Sequence, residues 1–242
     1  MPSSSEIAMT SQPRPANRIL SALPHEEFQR LQPKLREVTF RIGESIYLPE
    51  HEIEHVYFIN EGIVSWLATL EDGNTVEAGV IGSEGVAGVP VILGATSTPN
   101  EGLIQSELFA SRISAPDLLA EFRHGAKLSQ LLLRFVHALF IQVAQTAACN
   151  RLHMLDQRLA RWLLMTDDRT NKKTLTLTQD FLSRMLGVRR AGVSVAANSL
   201  RQQGVIEYHR GDVVITNRPA LERLSCECYR IVKEEYDQCF KA

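Results

Sequence analysis

The sequence contains few cysteines, and their positions exclude several kinds of site. Only four occur among 242 residues, and none precedes Cys149. Four thiols in a chain of this size, without a secretory signal, do not form a disulfide framework. Cys226, Cys228 and Cys239 lie near the C-terminus but lack the CxxC pairs that are typical of zinc sites. Because two cysteines one residue apart on a helix point to different sides, we predict no metal site.

Catalytic motifs are also missing. The sequence has no glycine-rich phosphate loop and no nucleophile elbow. His51 and His55 do match the HExxH pattern of zinc proteases, but Pro49 before them and VYFI after them predict a turn and a strand. In extended chain the two histidines would lie about 13 Å apart, too far to share one zinc ion. We therefore predict that the protein is not an enzyme.

No long apolar run is free of polar residues. The longest, LLLRFVHALFIQVAQTAAC, includes Arg134, His137, Gln142 and Gln145. Inserting these side chains into a bilayer would cost a few kcal/mol, so we predict a buried helix and not a membrane span. Residues 1–18 lack the apolar core of a secretory signal and are predicted to be a flexible leader of a cytoplasmic protein.

Charge is distributed unevenly along the chain. The net charge is −2, but residues 1–150 carry −7 and residues 151–218 carry +6. Apolar residues make up 44% of the chain and charged residues 22%, which is typical of a globular protein long enough for two units. The positive charge on one segment indicates that this segment faces a polyanion.

The N-terminal half has the pattern of a β-domain. From Val38 to Ser114, short β-branched or aromatic runs alternate with glycine turns, and EDGN at 71–74 is the clearest hairpin. Pro116 then opens a helix that Gly125 stops. We predict an α+β protein with an antiparallel, jelly-roll-like β-roll over residues 19–125.

A long helix is predicted over residues 126–150, and it is apolar on two faces. One stripe consists of Leu128, Leu132, Phe135 and Leu139, and a second consists of Leu133, Val136, Phe140, Val143 and Ala147. One face can cover the β-domain, and the other needs a second copy of the chain. We assign the parallel dimer interface to the first stripe. A helix buried on both sides within one chain is the alternative.

Residues 151–242 are predicted to form a third unit with a helix, a tight turn and a second helix. Thr178 is a plausible N-cap, Gly187 can adopt positive φ, and the second helix runs from about 190 to 203. Winding this helix puts Val193, Ala196, Ala197 and Leu200 on the inner side, facing Leu182 and Met185. VIEY, HRGD and VVIT then predict a β-hairpin.

The stretch LTQDFLSRMLGVRRAGVSVAANSLRQQGVIEYHRGDVVI resembles the winged helix-turn-helix of the Crp/Fnr family of bacterial transcription regulators. The similarity extends over about residues 20–225. It implies a cyclic-nucleotide-binding-type β-roll, a dimerising helix and a DNA-binding domain. As expected partners it implies double-stranded DNA with a palindromic site and a second copy of the chain, and it leaves contact with RNA polymerase open.

The resemblance implies that the second helix enters the major groove of DNA. Base contacts are predicted for Arg190, Ala191, Ser194, Val195 and Asn198. Phosphate contacts are predicted for Thr178, Gln179, Arg189, Arg201 and Arg210. Many family members carry glutamate and a second arginine where this chain has Ala191 and Val195. The usual base code is therefore not transferable, and a half-site richer in A·T pairs is the hypothesis.

The expected effector is unknown. Family members that bind cyclic AMP hold its phosphate with Gly-Glu and Arg-Ser or Arg-Ala pairs, but IGSEGVAGVPVILGATSTPNEGLIQ has no arginine and would place Glu101 near the phosphate. Cyclic AMP is therefore not expected. Since no cysteine precedes Cys149, the N-terminal iron-sulfur centre of oxygen-sensing members is excluded. Haem ligation by a histidine stays open.

The sequence leaves two candidate functions of different classes. The first is a homodimeric, sequence-specific DNA-binding transcription regulator that does not depend on cyclic AMP. The alternative is a ligand-sensing or protein-interaction module whose DNA-binding domain no longer reads bases, since the usual base-contacting residues are absent.

Overall fold

The computed structural model of the protein describes residues 16–125, 127–170 and 172–241. Most of the predicted leader, residues 1–15, lies outside the described residues. Its end belongs to the fold, because Asn17 is fully buried and caps helix α1 (Arg18–Ser21). The Asn17 amide donates hydrogen bonds to the carbonyls of Ile59 and Gly85, at 2.9 and 2.8 Å.

Two antiparallel four-stranded sheets form the N-terminal domain, which confirms the predicted β-roll. One sheet has the order β1-β8-β3-β6 and the other β2-β7-β4-β5. Their strands are β1 (Arg36–Phe40), β2 (Ser45–Tyr47), β3 (His55–Glu61), β4 (Val64–Thr69), β5 (Thr75–Ile81), β6 (Val86–Ala87), β7 (Glu101–Ile104) and β8 (Leu108–Ser114). The core between the sheets is aliphatic, with Phe58 fully buried.

The predicted hairpin at EDGN is confirmed between β4 and β5. Leu70 and Asn74 close it with a backbone hydrogen bond of 2.8 Å, and Gly73 adopts a φ of +82° that favours glycine. His51 and His55 of the HExxH pattern lie in a bend and at the start of β3, not on a helix.

Short helices cover the ends of the β-roll. They are α2 (His25–Leu31), α3 (Val89–Ile92) and α4 (Ala115–Arg123). Ser114 caps α4 by accepting a hydrogen bond from the Asp117 backbone at 3.2 Å, and Pro116 occupies its first turn. As predicted, the chain leaves α4 through Gly125, which has a φ of +68°.

The long helix α5 (Lys127–Leu152) packs against β5, α4 and a C-terminal helix, α10 (Glu227–Cys239). By length and composition alone it is also the one helix within the described residues that could cross a membrane. Core helices of water-exposed proteins pass the same test. The contacts of α5 with these neighbouring elements are those of a core helix.

The faces of α5 differ from the prediction. The four residues assigned to a dimer interface are buried within the chain itself: Leu128, Leu132, Phe135 and Leu139 are at most 4% exposed. Phe135 packs against Gly85, where an added Cβ would lie 2.1 Å from its ring, and against Tyr236. The assignment is corrected, because the β-roll and α10 already cover this stripe.

The second stripe of α5 remains uncovered in the single chain. Leu133 is 53% exposed and Phe140 is 70% exposed, and Ala147 is also exposed. Val136 and Val143 are half-buried beside them. The second stripe is therefore the apolar face of α5 that is open to a partner.

The C-terminal domain contains the predicted helix pair and hairpin. Its remaining elements are α6 (Leu155–Asp167), β9 (Leu175–Thr176), α7 (Gln179–Leu186), α8 (Arg190–Gln202), β10 (Ile206–His209), β11 (Asp212–Ile215) and α9 (Arg218–Leu224). The three strands form one antiparallel sheet in the order β10-β11-β9.

Polar contacts join the two domains along α6 and just after its end. The Trp162 indole donates a hydrogen bond to Glu77 on β5 at 2.8 Å. Arg169 forms an ion pair with Glu84 at 2.7 Å, and both side chains are less than 10% exposed. At the turn after α7, Gly187 approaches Val76 so closely that a Cβ would lie 3.1 Å from its side chain.

The contact between Trp162 and Glu77 predicts a pH-dependent stability. Burial raises the pKa of Glu77 from 4.5 to about 7, and its second carboxylate oxygen has no hydrogen-bond partner. The folded state therefore holds a proton that the unfolded state loses above its lower pKa, so stability falls as pH rises from about 4.5 to 7. We expect Glu77→Gln, which keeps an acceptor for Trp162, to raise the melting temperature at pH 8 but not at pH 4.5.

Thermal melts of both proteins across this pH range check the expectation. Glu44→Gln, on an exposed turn, serves as the control. A constant difference between Glu77→Gln and wild type at every pH would contradict a protonated Glu77.

Candidate DNA-binding surface

The first helix of the pair, α7, begins and ends as the sequence predicts. The Thr178 hydroxyl accepts a hydrogen bond from the Phe181 backbone at 3.1 Å and so caps the helix. Gly187 adopts a left-handed φ of +62° and donates to the Arg184 carbonyl, and Val188 donates to the Ser183 carbonyl. These bonds close the helix and turn the chain toward α8.

The inner face of α8 packs on α6 and α7. All four residues predicted for that face are at most 4% exposed: Val193, Ala196, Ala197 and Leu200. Leu182 and Met185 of α7 are equally buried. The small alanines allow the helices to approach closely, and this packing sets which residues of α8 face outward.

The outer face of α8 is open to solvent. Arg190, Ala191 and Asn198 are exposed, Val195 is 71% exposed, and Ser194 is half-buried. Exposed valine and alanine in the middle of a polar helix face leave methyl groups available to a partner. All five residues predicted to contact bases therefore lie on one accessible surface, which we call the reading face.

A cleft beside the reading face brings together residues from three elements. Thr178 and Gln179 come from the start of α7, Arg190 from the start of α8, and Tyr208 and Arg210 from the hairpin. The Arg190 guanidinium donates a hydrogen bond to the Gln179 amide oxygen at 3.3 Å. Four predicted contact residues from distant parts of the C-terminal domain are thus neighbours.

The tip of the hairpin has an unusual backbone. Arg210 has a φ of +52° and Gly211 a φ of +93°, as a two-residue turn with two positive φ angles requires. Glycine or asparagine favours such a position, and a side chain like that of arginine costs about 1 kcal/mol there. The fold therefore maintains Arg210 in a strained conformation at the most projecting point of the hairpin.

Arg189 and Arg201 lie near the two ends of α8. Arg189 is the N-cap of α8 and faces the groove between α7 and the β4–β5 hairpin, and Arg201 is exposed in the last turn. Within the part of the chain that the structure describes, none of the arginines predicted for DNA contact forms an ion pair. Their charge is therefore not neutralised inside the protein.

Comparison with known proteins identifies this arrangement. A model of the Crp-like helix-turn-helix domain matches residues 157–224, from α6 to α9. The predicted resemblance to the Crp/Fnr helix-turn-helix is confirmed over these residues. No curated protein matches the sequence.

Solved structures share the fold over most of the chain. FixK2 from Bradyrhizobium japonicum superposes with a TM-score of 0.68 at 19% identity, covering 79% of this chain and 98% of its own. A putative Crp/Fnr regulator from Eubacterium rectale gives 0.68 at 14% identity, with 86% and 97% covered. A CooA mutant from Carboxydothermus hydrogenoformans gives 0.64 at 17% identity, with 88% and 98% covered.

One residue of the cleft was not predicted from the sequence. Tyr208 lines the cleft beside Arg190, and its hydroxyl donates to the Leu177 carbonyl at 2.9 Å. Burial raises the pKa of Tyr208, so the hydroxyl stays protonated and neutral. Its position in β10, just before the tip of the hairpin, was the sequence signal that could have identified it.

Proposed function

We propose that this protein is a homodimeric transcription regulator that binds DNA through α8 and the β10–β11 hairpin. The observation that supports it is the cleft in which Gln179, Arg190, Tyr208 and Arg210 meet beside the exposed reading face. A helix fits the width of the major groove, and donors from a helix N-terminus and a hairpin are suited to the phosphates on its edge. The positive charge of Arg190 and Arg210 adds an attraction to DNA that does not depend on the base sequence.

The roles of individual residues follow from their positions. Arg190, at the start of α8, can donate two hydrogen bonds to guanine, and Asn198 can pair with adenine. Ala191 and Val195 offer methyl groups that suit thymine. We propose that Thr178, Gln179, Arg189, Arg201 and Arg210 contact phosphates. The half-site should therefore contain more A·T pairs than a half-site read by arginine and glutamate.

A second copy of the chain is the partner proposed for the uncovered stripe of α5. Leu133, Phe140 and Ala147 are exposed and lie seven residues apart, which is the repeat at the seam of paired parallel helices. Two-fold pairing along α5 would present two reading faces to successive major grooves, about 34 Å apart on a palindromic site. Such a regulator acts in the cytoplasm, and contact with RNA polymerase is a separate prediction.

The β-roll is proposed to sense a signal other than cyclic AMP. Glu84 already pairs with Arg169, and Glu101, at the start of β7, accepts a hydrogen bond from Ser45. Two carboxylates in the segment that would have to bind the phosphate oppose an anion there. Addition of cyclic AMP should therefore leave DNA affinity unchanged. An affinity that rises with cyclic AMP would contradict this proposal.

A second candidate is a sensing or interaction module that no longer reads bases. The specific observation in its favour is that Ala191 and Val195 on the reading face cannot donate hydrogen bonds. Such a module would still attract DNA weakly through its arginines, without preferring any sequence.

Selection from a random DNA pool followed by salt titration separates the two candidates. For a regulator we expect an enriched palindrome, an affinity that falls steeply with salt, and a preference of about 10³-fold or more over unrelated DNA. Weak binding with equal affinity for all sequences would support the second candidate. Purely G·C half-sites would overturn the proposed A·T preference alone.

A further inference from the structure

Four potential metal ligands that are far apart in sequence meet at one place in the structure. Cys149 lies near the end of α5, His153 follows that helix, and Cys226 and Cys228 lie at the start of α10. Their ligand atoms, three Sγ and one imidazole nitrogen, all lie within 4.8 Å of one another. We call this set the Cys3His cluster.

Cys226 and Cys228 do not both lie within a helix, so their thiols need not point to different sides as predicted. Cys226 is instead the N-cap of α10, with an extended backbone at φ −78° and ψ 163°, and only Cys228 is helical. The change in backbone conformation between them lets both thiols point toward α5.

The other two ligands come from one turn of helix. The His153 backbone donates to the Cys149 carbonyl at 3.1 Å, so the helical path continues through His153. Residues four apart in a helix lie on the same face. Cys149 and His153 therefore face α10 together.

The distances suit a single tetrahedral ion. Cys149 Sγ lies 3.5 Å from Cys226 Sγ, and Cys228 Sγ lies 3.7 Å from His153 Nδ1. Zinc bonds of about 2.3 Å to sulfur and about 2.0 Å to nitrogen put tetrahedral ligands about 3.5 to 3.8 Å from each other. An iron-sulfur cluster would hold its ligands farther apart, since several atoms lie between them.

The residues around the cluster are those expected around a structural zinc ion. His153 presents Nδ1 to Cys228, while its Nε2 lies 3.3 Å from the Glu227 carboxylate. A carboxylate on the second ring nitrogen fixes the tautomer and orientation of a metal-binding histidine. The three cysteines are at most 4% exposed, as a closed site requires.

Charge balance also favours a bound dication. Three thiolates and Zn²⁺ together carry one negative charge. Arg161 of α6 is 4% exposed. Its Nη1 is held toward α5 by a hydrogen bond to the Thr146 hydroxyl at 3.2 Å. A buried guanidinium is thus present to neutralise the complex.

We propose that Cys149, His153, Cys226 and Cys228 bind one Zn²⁺ ion that ties the end of α5 to the start of α10. His153 lies between α5 and α6, where the long helix passes into the C-terminal domain. The ion fixes this junction and so holds the position of the helix-turn-helix relative to α5. This inference is independent of DNA binding and goes beyond the proposed function.

Elemental analysis of the untagged full-length protein tests the proposal. We expect about one zinc ion per chain, which requires all four ligands. Cys226→Ser should lose the ion, whereas Cys239→Ser should retain it, because Cys239 is a buried cysteine outside the cluster. Zinc-free wild-type protein, or equal zinc in wild type and Cys226→Ser, would overturn the proposal.

A spectroscopic measurement on wild-type protein keeps the test decisive if Cys226→Ser does not fold. Replacing zinc by Co²⁺ should produce the intense visible bands of tetrahedral cobalt and a thiolate charge-transfer band. His153→Ala should shift these bands, and His137→Ala, on the exposed face of α5, should not. Octahedral cobalt spectra would overturn the proposal. So would a Cys149–Cys226 disulfide, detected as a mass lower by two hydrogen atoms before reduction.

Discussion

Phe140→Asp should convert the protein from dimers to monomers. Phe140 is 70% exposed on α5 in the single chain, so the substitution leaves the internal core intact and changes the stability of the monomer by no more than about 0.5 kcal/mol. In a dimer paired along α5 the same position is buried, and an unpaired carboxylate there costs several kcal/mol. Light scattering should therefore give a mass near 27.1 kDa for the variant and about twice that for wild type.

Two further variants separate loss of the dimer from loss of the fold. Leu93→Asp changes an apolar residue that is 63% exposed at the end of α3, and this protein should remain dimeric. Phe135→Asp places a charge in the fully buried stripe and should prevent folding. A dimeric Phe140→Asp protein would show that the second stripe of α5 is not the interface.

Arg190→Ala should reduce affinity for the selected site by about 5- to 150-fold, the equivalent of 1 to 3 kcal/mol. The reason is that a guanidinium at the start of α8 can form two hydrogen bonds with one guanine, and alanine forms none. The loss should be confined to sites with the preferred base pair, so the variant should also become indifferent at that position. Binding measured on sites with each base pair in turn checks this expectation.

Arg210→Ala should behave differently, because a phosphate contact is the same for every sequence. Affinity should fall uniformly, and the salt dependence should decrease by about one unit of slope. Arg210→Gly should weaken DNA binding in the same way while the protein becomes no less stable, since glycine accepts the positive φ at this turn. Together these two results would show that Arg210 serves DNA binding and does not stabilise the fold.

Arg230→Ala provides the control for both arginine variants. Arg230 is exposed on α10 and pairs with Glu234 one turn later. It does not belong to the reading face. Its loss should change neither affinity nor specificity, because exposed pairs of this kind contribute little. If Arg190→Ala and Arg210→Ala weakened every sequence equally, the proposed division between base and phosphate contacts would be wrong.

The helix-turn-helix was predictable because its determinants are local. Thr178 caps a helix through a hydrogen bond three residues away, and Gly187 provides the positive φ of the turn. The sides of α8 follow from helical periodicity alone, and Val193 and Leu200 are buried as predicted. Tyr208 was missed because its place beside Arg190 depends on how the hairpin folds back on the helices.

Periodicity could establish that α5 has two apolar faces, but not which neighbour covers each one. Both stripes have similar spacing and composition, and only the packing of the β-roll and α10 buries Phe135 and leaves Phe140 exposed. The choice between them rests on contacts over about a hundred residues of sequence, which a local pattern does not contain.

The sequence by itself determined the β-roll, the long helix, the winged helix pair and the residues of the reading face, because hydrogen-bonded turns and side-chain periodicity act over a few residues. Tertiary structure decided which stripe of α5 stays open and that Cys149 and His153 meet Cys226 and Cys228. Those outcomes depend on how separate helices pack, and the extended N-cap at Cys226 reversed the direction in which one thiol was expected to point.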